Sequence, residues 1–133
     1  MFINLKTNAK SVMQDITDDV RKLVRESDIS EGFVHVFSMH TTAGITINEN
    51  ADPDVRKDIR DVLNNLIPWE NNYHHLEGNS AAHVKTTLVG SSELIPIENN
   101  DLVLGTWQGI FFCEFDGPRT RKVHIKFLEI NRT

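Results

Sequence analysis

Cysteine, positive charge and long apolar runs are all scarce in this sequence, and each scarcity excludes a class of protein. The single Cys113 has no second thiol with which to form an intramolecular disulfide, which suits a reducing compartment. No apolar run approaches the roughly 20 residues of a membrane-spanning helix, and the N-terminus lacks the pattern of a signal peptide. We therefore expect a cytoplasmic protein with no membrane partner.

The charge balance argues against a nucleic acid partner. The chain has 14 Lys and Arg residues against 19 Asp and Glu residues, a formal net charge of −5. Nucleic acid binding generally needs clustered basic residues that displace counterions from phosphates. The 133 residues, 39% of them hydrophobic and 25% charged, have the size and composition of one globular domain, residues 1–133.

Hydrophobic periodicity predicts two main helices in the first half of the chain. Apolar residues recur at helical spacing from about Ala9 to Ser27. They recur again in a segment that has Asp52 as its N-cap, Pro53 as its first residue and Pro68 beyond its end. A third, short helix is predicted from Ser80 to Gly90, although its β-branched residues also favour a strand.

Strand patterns dominate the rest of the sequence. The strand-like segments are Gly32–His40, Ile45–Ile47, Leu94–Ile97, Leu102–Phe115 and Lys122–Ile130. Polar turns at 98–101 and 116–119 separate the last three. We expect an α+β fold, a largely antiparallel sheet or sandwich with two main helices and one short helix.

Strand alternation separates two histidines of the first long strand. His35 lies mid-strand among apolar residues, whereas His40 ends the strand on the opposite face and opens a polar run with Thr41 and Thr42. Because binding sites are found where strands end in loops, we predict a functional role for His40. His35 is interpreted as a packed or rim histidine.

Two further residues are interpreted as parts of the core. Alternation places Cys113 on the same face as Phe111 and Phe115, which favours a buried thiol over a nucleophile. Trp107 follows Gly105 in a strand-like segment, where the glycine indicates a bulge or a close backbone approach. Core packing is the default interpretation of this tryptophan.

Several polar residues are candidates for a site, each with a structural alternative. His75 and His83 are separated by 83 − 75 = 8 residues, a spacing that permits metal binding but also fits exposed loop histidines. Asp52 is most simply a helix cap, and Glu49 a carboxylate that orients a neighbouring ligand. The basic run at 119–122 either binds a phosphate through arginine or is a solvated hairpin end.

Two stretches of the chain resemble the signature segments of the YjbQ family. They are HTTAGITINENADPDV, residues 40 to 55, and LVLGTWQGIFFCEFDGPR, residues 102 to 119. The family is largely of unknown function, and some members are described as having a secondary thiamine phosphate synthase activity. The resemblance implies a compact, β-rich α/β domain that assembles as a homotrimer.

The family motifs also imply a ligand set. One histidine lies in His-Thr-Thr, one in Tyr-x-His and one in Ala-His-x-Lys, which His40, His75 and His83 match. The resemblance implies that these three bind a divalent metal ion, zinc or similar. His74 precedes His75 directly, so either one aligns with the second motif after a small shift.

The resemblance implies that the chain is a metal-dependent transferase that acts on a small phosphorylated metabolite. The implied reaction joins an aminopyrimidine diphosphate to a thiazole phosphate and releases pyrophosphate. The expected catalytic residues are His40, Glu49 and Asp52, and the expected substrate-binding residues are Thr41, Thr42, Asn48, Arg119 and Arg121. The alternative function is a non-catalytic, trimeric protein that binds or senses a small ligand.

Overall fold

The computed structural model describes residues 1–131, and the expected α+β class is confirmed. The strands are β1 (Phe2–Lys6), β2 (Val12–Asp15), β3 (Gly32–Ser38), β4 (Ala43–Glu49), β5 (Ser92–Glu98), β6 (Asp101–Leu102), β7 (Gln108–Glu114) and β8 (Thr120–Glu129). The helices are α1 (Thr17–Glu26), α2 (Pro53–Leu66) and α3 (Ser80–Val89). The expected domain of residues 1–133 includes two residues, Arg132 and Thr133, that lie outside the described residues.

Two antiparallel sheets form the body of the fold. One has the strand order β1-β8-β3-β5-β6 and the other the order β2-β7-β4. Their facing sides share a core to which β3 contributes Val34 and Val36, and to which β4 and β7 contribute Ile45 and Phe112. Helix α1 packs against the same core, because it buries Val20 and Val24 and leaves its charged residues in solvent.

The second face of the three-stranded sheet carries a smaller apolar cluster. Phe111, Cys113 and Phe115 pack there against residues that include Ala82 of α3 and Leu63 of α2. The predicted core position of Cys113 is confirmed, and burial raises the pKa of its thiol to about 12. The thiol is therefore protonated and unreactive at neutral pH.

The predicted first helix is wrong in its N-terminal part. Val12 to Asp15 form β2, which pairs with β7 at the edge of the three-stranded sheet. The helix begins at Thr17, whose backbone N–H and hydroxyl both donate to the Asp15 carboxylate, at 2.9 and 2.5 Å. Tertiary pairing with β7 overrides a local spacing that fits either structure.

The long strand predicted over 102–115 is also wrong, because it is two strands. β6 ends at Leu102 and β7 begins at Gln108, with a turn between them. Trp107 lies in this turn with 62% of its surface exposed, so the predicted core position of this tryptophan is wrong.

The segment from Ser80 to Gly90, whose sequence fits both a helix and a strand, is helical as predicted and forms α3.

Within residues 1–131, no helix has the length and apolar character needed to cross a membrane.

Candidate functional site

A polar pocket of about 340 Å³ lies at one edge of the sandwich. Three segments meet there: the β3–β4 connection, the β7–β8 turn with the start of β8, and the residues that lead into α3. The pocket brings together these predicted site residues: His40, Thr41, Thr42, His83, Arg119 and Arg121. Glu77, Asn79 and Asp116, which sequence reasoning did not single out, line it as well.

His40 is held in the pocket by its backbone and by its ring. Its backbone N–H donates to the Ser38 hydroxyl at 3.3 Å, and the backbone N–H of Lys122 donates to its Nε2 at 3.0 Å. The ring also meets Phe112 edge-on, with centroids 6.4 Å apart. Because Nε2 accepts a hydrogen bond, the neutral ring carries its proton on Nδ1.

The surroundings of His40 favour the neutral imidazole. Burial of the ring, followed by the positive charge of Arg121, lowers the pKa of His40 below its ordinary value of 6.5. At neutral pH the side chain is therefore uncharged, with the lone pair of Nε2 engaged by the Lys122 N–H and the proton on Nδ1.

Arg121 and Glu114 form a buried ion pair behind the pocket. Arg121 Nε donates to Glu114 Oε1 at 2.8 Å, and its Nη2 donates to Glu114 Oε2 and, at 2.9 Å, to the Thr42 hydroxyl. Glu114 also accepts from the Thr7 hydroxyl at 2.7 Å and from the Asp116 backbone N–H at 3.1 Å. Burial raises the pKa of Glu114, but the hydrogen bonds from Arg121, Thr7 and Asp116 outweigh burial and leave it below 4.5.

Arg119 lies at the exposed rim of the same pocket. Its Nη2 donates to the Asp116 carboxylate at 3.0 Å, and its Nε donates to the Asp116 carbonyl at 2.8 Å. The two arginines therefore share a pocket, in keeping with their predicted common face. Each of them, however, is matched by a carboxylate, so the basic run supplies less free positive charge than the sequence indicates.

Asn79, which lines this pocket, has a buried acceptor that is not used by the described residues. Its Nδ2 donates to Asp116 Oδ2 at 2.9 Å, which fixes the orientation of the amide. Its Oδ1 is buried without a hydrogen-bond partner among the described residues. A buried acceptor of this kind is costly unless a ligand or a water molecule donates to it.

His75 lies beside His83 but lines a neighbouring pocket of the 69–78 loop. The two rings are 5.5 Å apart and nearly perpendicular, and His75 Nε2 is 3.8 Å from Glu77 Oε2. Residues 1–131 contain no group of three His, Cys, Asp or Glu side chains placed to hold a metal ion. The arrangement of His40, His75 and His83 does not fit a formed three-ligand site, and metal binding stays a prediction.

Asn48, Glu49 and Asp52 are not brought to this pocket. Asn48 and Glu49 are the last residues of β4 and Asp52 follows the strand, so that Asn48 lies about 20 Å along the strand from Thr42 at a rise of roughly 3.3 Å per residue. Asp52 caps α2 by accepting from the Asp54 backbone N–H at 2.9 Å, and Asn48 Oδ1 accepts from the Glu49 backbone N–H. The catalytic roles expected of Glu49 and Asp52 therefore have no common geometry with His40.

The structure places His35 on the outer face of the five-stranded sheet, where it stacks on Phe37 with ring centroids 5.8 Å apart. The predicted packed or rim position of His35 is confirmed.

Sequence reasoning missed Glu114, although a signal was present. Alternation in the run 111–115 places this carboxylate on the buried face that Phe112 occupies, which indicates a buried charged partner.

Comparison with known proteins gives consistent matches along the chain. A sequence model described as "UPF0047 protein YjbQ-like" matches residues 1–130. The UPF0047 protein YugU of Bacillus subtilis is 50% identical over 127 residues, which cover 95% of this chain and 96% of that protein. A UPF0047 protein of Methanocaldococcus jannaschii is 51% identical over 124 residues, covering 93% and 90% of the two chains.

Solved structures match the fold equally well. The crystal structure of an uncharacterized conserved protein of the YjbQ/UPF0047 family from Clostridium acetobutylicum has a TM-score of 0.95 at 55% identity, covering 96% of this chain and 99% of that one. A protein of unknown function from Sulfolobus solfataricus has a TM-score of 0.94 at 32% identity, with 98% and 96% covered.

Proposed function

The chain belongs to the YjbQ-like UPF0047 family, and from this premise we propose that the His40 pocket binds a small phosphorylated metabolite and catalyses its reaction in the cytoplasm. One observation carries the proposal. A single pocket joins a neutral histidine, a second histidine, two threonines and two arginines from separate parts of the chain. Histidine with hydrogen-bond donors around one cavity is the composition of an acid–base site.

The proposed roles follow from the contacts in the pocket. His40 acts as the general base through Nε2, because its ring is neutral, once the bound ligand displaces the backbone N–H of Lys122 from which this nitrogen accepts in the protein alone. Arg119 and Arg121 orient the phosphoryl group from positions that their carboxylate partners fix. The volume of the pocket, about 340 Å³, is sufficient for one small metabolite.

We propose thiamine phosphate synthase-like condensation as the specific reaction, which would make the protein a transferase. Its support is the family resemblance of the segments at 40–55 and 102–119. Release of pyrophosphate requires that negative charge be stabilised as it develops, and the arginines at the pocket are the groups positioned to do this.

A divalent metal ion, zinc or similar, is proposed on the His83 side of the pocket. His75 and His83, two of the three predicted ligands, support this proposal, because imidazole ligates zinc and their rings lie side by side with centroids 5.5 Å apart. None of the roles given above to His40 or the arginines depends on this ion.

Substitution of His40 tests the proposed catalysis. In a screen of phosphorylated metabolites that follows phosphate or pyrophosphate release, we expect His40→Gln to lower turnover by about 10²–10⁴-fold, the contribution typical of a general base. Wild-type turnover should fall on acidification with a midpoint below pH 6.5, because the pKa of His40 is lowered from that value and protonation removes the base.

The matched control is His35→Gln, which makes the same chemical change on the outer face of the sheet. We expect it to leave turnover within about twofold of wild type and to act mainly on stability. Both variants should be folded by circular dichroism and have the same molecular mass as wild type. Full turnover by His40→Gln would refute the assignment of the base.

Non-catalytic ligand binding or sensing is the second candidate function. It is favoured by the position of Glu49 and Asp52, which lie away from the pocket, so that the pocket is formed without the predicted catalytic carboxylates. Calorimetric binding of a metabolite that the protein never turns over would support this candidate against catalysis.

We propose a homotrimer as the working assembly. The outer face of the five-stranded sheet carries apolar side chains that are substantially exposed: Phe2 (48%), Leu94 (57%) and Leu128 (62%). Burial of this face between copies would remove apolar surface from water. Light scattering should give three times the 15.2 kDa chain mass, and a monomer mass at all concentrations would refute the trimer.

A further inference from the structure

A second pocket, of about 440 Å³, lies on the other side of α3. His83 lines the first pocket and Lys85 lines this one. Two positions along a helix correspond to a rotation of about 200°, so these two side chains leave α3 on opposite sides. The second pocket is therefore separate from the proposed catalytic site.

The lining of this second pocket is basic. It contains the three cationic residues Lys10, Arg60 and Lys85, and it contains no carboxylate. Among the described residues, Arg60 pairs only with its exposed neighbour Asp61, at 3.2 Å. Lys10 and Lys85 form no salt bridge within residues 1–131, although the protein as a whole is acidic.

Lys85 is unusual because only 2% of its surface is exposed. Its ammonium donates to Asn64 Oδ1 at 2.5 Å and lies 5.8 Å from the centre of the Phe115 ring. Buried lysines without a carboxylate are rare, because the charge loses its hydration. Burial, followed by the charge of Lys10, lowers the pKa of Lys85 below its ordinary value, as expected where no counter-charge is present.

The neighbouring polar groups are arranged as hydrogen-bond donors. Because Asn64 Oδ1 accepts from Lys85, the amide Nδ2 of Asn64, which lines the pocket, is left as a donor. The Ser11 hydroxyl also lines the pocket. The Lys10 ammonium lies 4.0 Å from the centre of the Trp69 ring, which keeps it at the pocket wall without neutralising it.

We propose that this pocket is a second ligand site, which binds a phosphate dianion through Lys10, Arg60 and Lys85 with Ser11 and Asn64 as further donors. A phosphate group carries a charge of about −1.5 to −2 at pH 7 and three strong acceptor oxygens. That charge matches two unpaired lysines, and the acceptors match the donors around them. A bound anion supplies the counter-charge that buried Lys85 lacks in the protein alone.

Titration with inorganic phosphate tests this site in the intact protein at low ionic strength. Backbone and side-chain NMR signals of Ser11, Asn64 and Trp69 should shift with a saturable dependence on phosphate. Lys10→Gln should weaken this binding at least tenfold. Lys10 is exposed, so its substitution leaves the fold intact.

The matched control is Lys22→Gln, an exposed lysine on α1 outside this pocket, which should change the affinity less than twofold. Lys85→Met, checked for folding by circular dichroism, should abolish the saturable shifts. If Lys10→Gln and Lys22→Gln weakened phosphate binding equally, the loss would result from the change in net charge of the protein, and the proposed site would be overturned. Shifts confined to the His40 pocket, or none at millimolar phosphate, would overturn it as well.

Discussion

Replacement of Arg121 by methionine is expected to lower the free energy of unfolding by about 3–5 kcal/mol, the usual effect of breaking a buried ion pair. The substitution leaves the Glu114 carboxylate, which has no exposed surface, without its two hydrogen bonds from the guanidinium group. A domain of this size is stable by only about 5–15 kcal/mol in total, so the variant should be close to unfolding.

Urea denaturation followed by circular dichroism measures this loss. Arg119→Met is the matched control, because its ion pair with Asp116 is largely exposed on the arginine side and should contribute less than about 1 kcal/mol. The double variant Glu114→Gln with Arg121→Met should be more stable than Arg121→Met alone, since it removes the unpaired charge. Equal stability of the two single arginine variants would contradict the structural role assigned to Arg121.

A methyl group added at Gly44 is expected to destabilise the protein by about 3 kcal/mol, at the upper end of the usual range for overpacking. In Gly44→Ala the new Cβ would lie 2.5 Å from the carbonyl oxygen of Gly90, a backbone atom that also accepts the Ile45 N–H. Gly90 follows the last residue of α3, so relief of the clash must move this helix away from β4.

The displacement of α3 should be visible in both pockets, because the helix carries His83 into one and Lys85 into the other. We expect Gly44→Ala to shift the NMR signals along α3 and to weaken phosphate binding. Gly105→Ala is the control, since its Cβ would meet only the flexible Gln108 side chain, at 3.3 Å. Its stability should stay within about 0.5 kcal/mol of wild type. An unchanged α3 in Gly44→Ala would refute the close packing at Gly90.

Features that depend on residues close together in the chain could be predicted from the sequence. The Asp52 cap and Pro53 start α2 where expected, and strand alternation placed His35 and Cys113 on the faces where they lie. Both kinds of pattern result from the backbone geometry of a single helix or strand. The resemblance of the segments at 40–55 and 102–119 likewise identified the family that the comparisons show.

Only the tertiary structure decided which charges meet. Arg121 and Glu114 are seven residues apart, but β8 and β7 belong to different sheets, so no alternation within one strand predicts that the two side chains pair. The same limit applies to β2, which is a strand because β7 lies beside it.

The two pockets are also products of packing. Lys10, Arg60 and Lys85 come from a loop and two helices, and they become one basic site only because α2 and α3 lie over the same sheet. Asn48 and Glu49, close to His40 in sequence, are carried away from it because an extended strand separates its ends. The sequence alone indicated α2, α3, the main part of α1 and most strands, since those follow from local backbone preferences. The electrostatics of both pockets depends instead on contacts between distant segments.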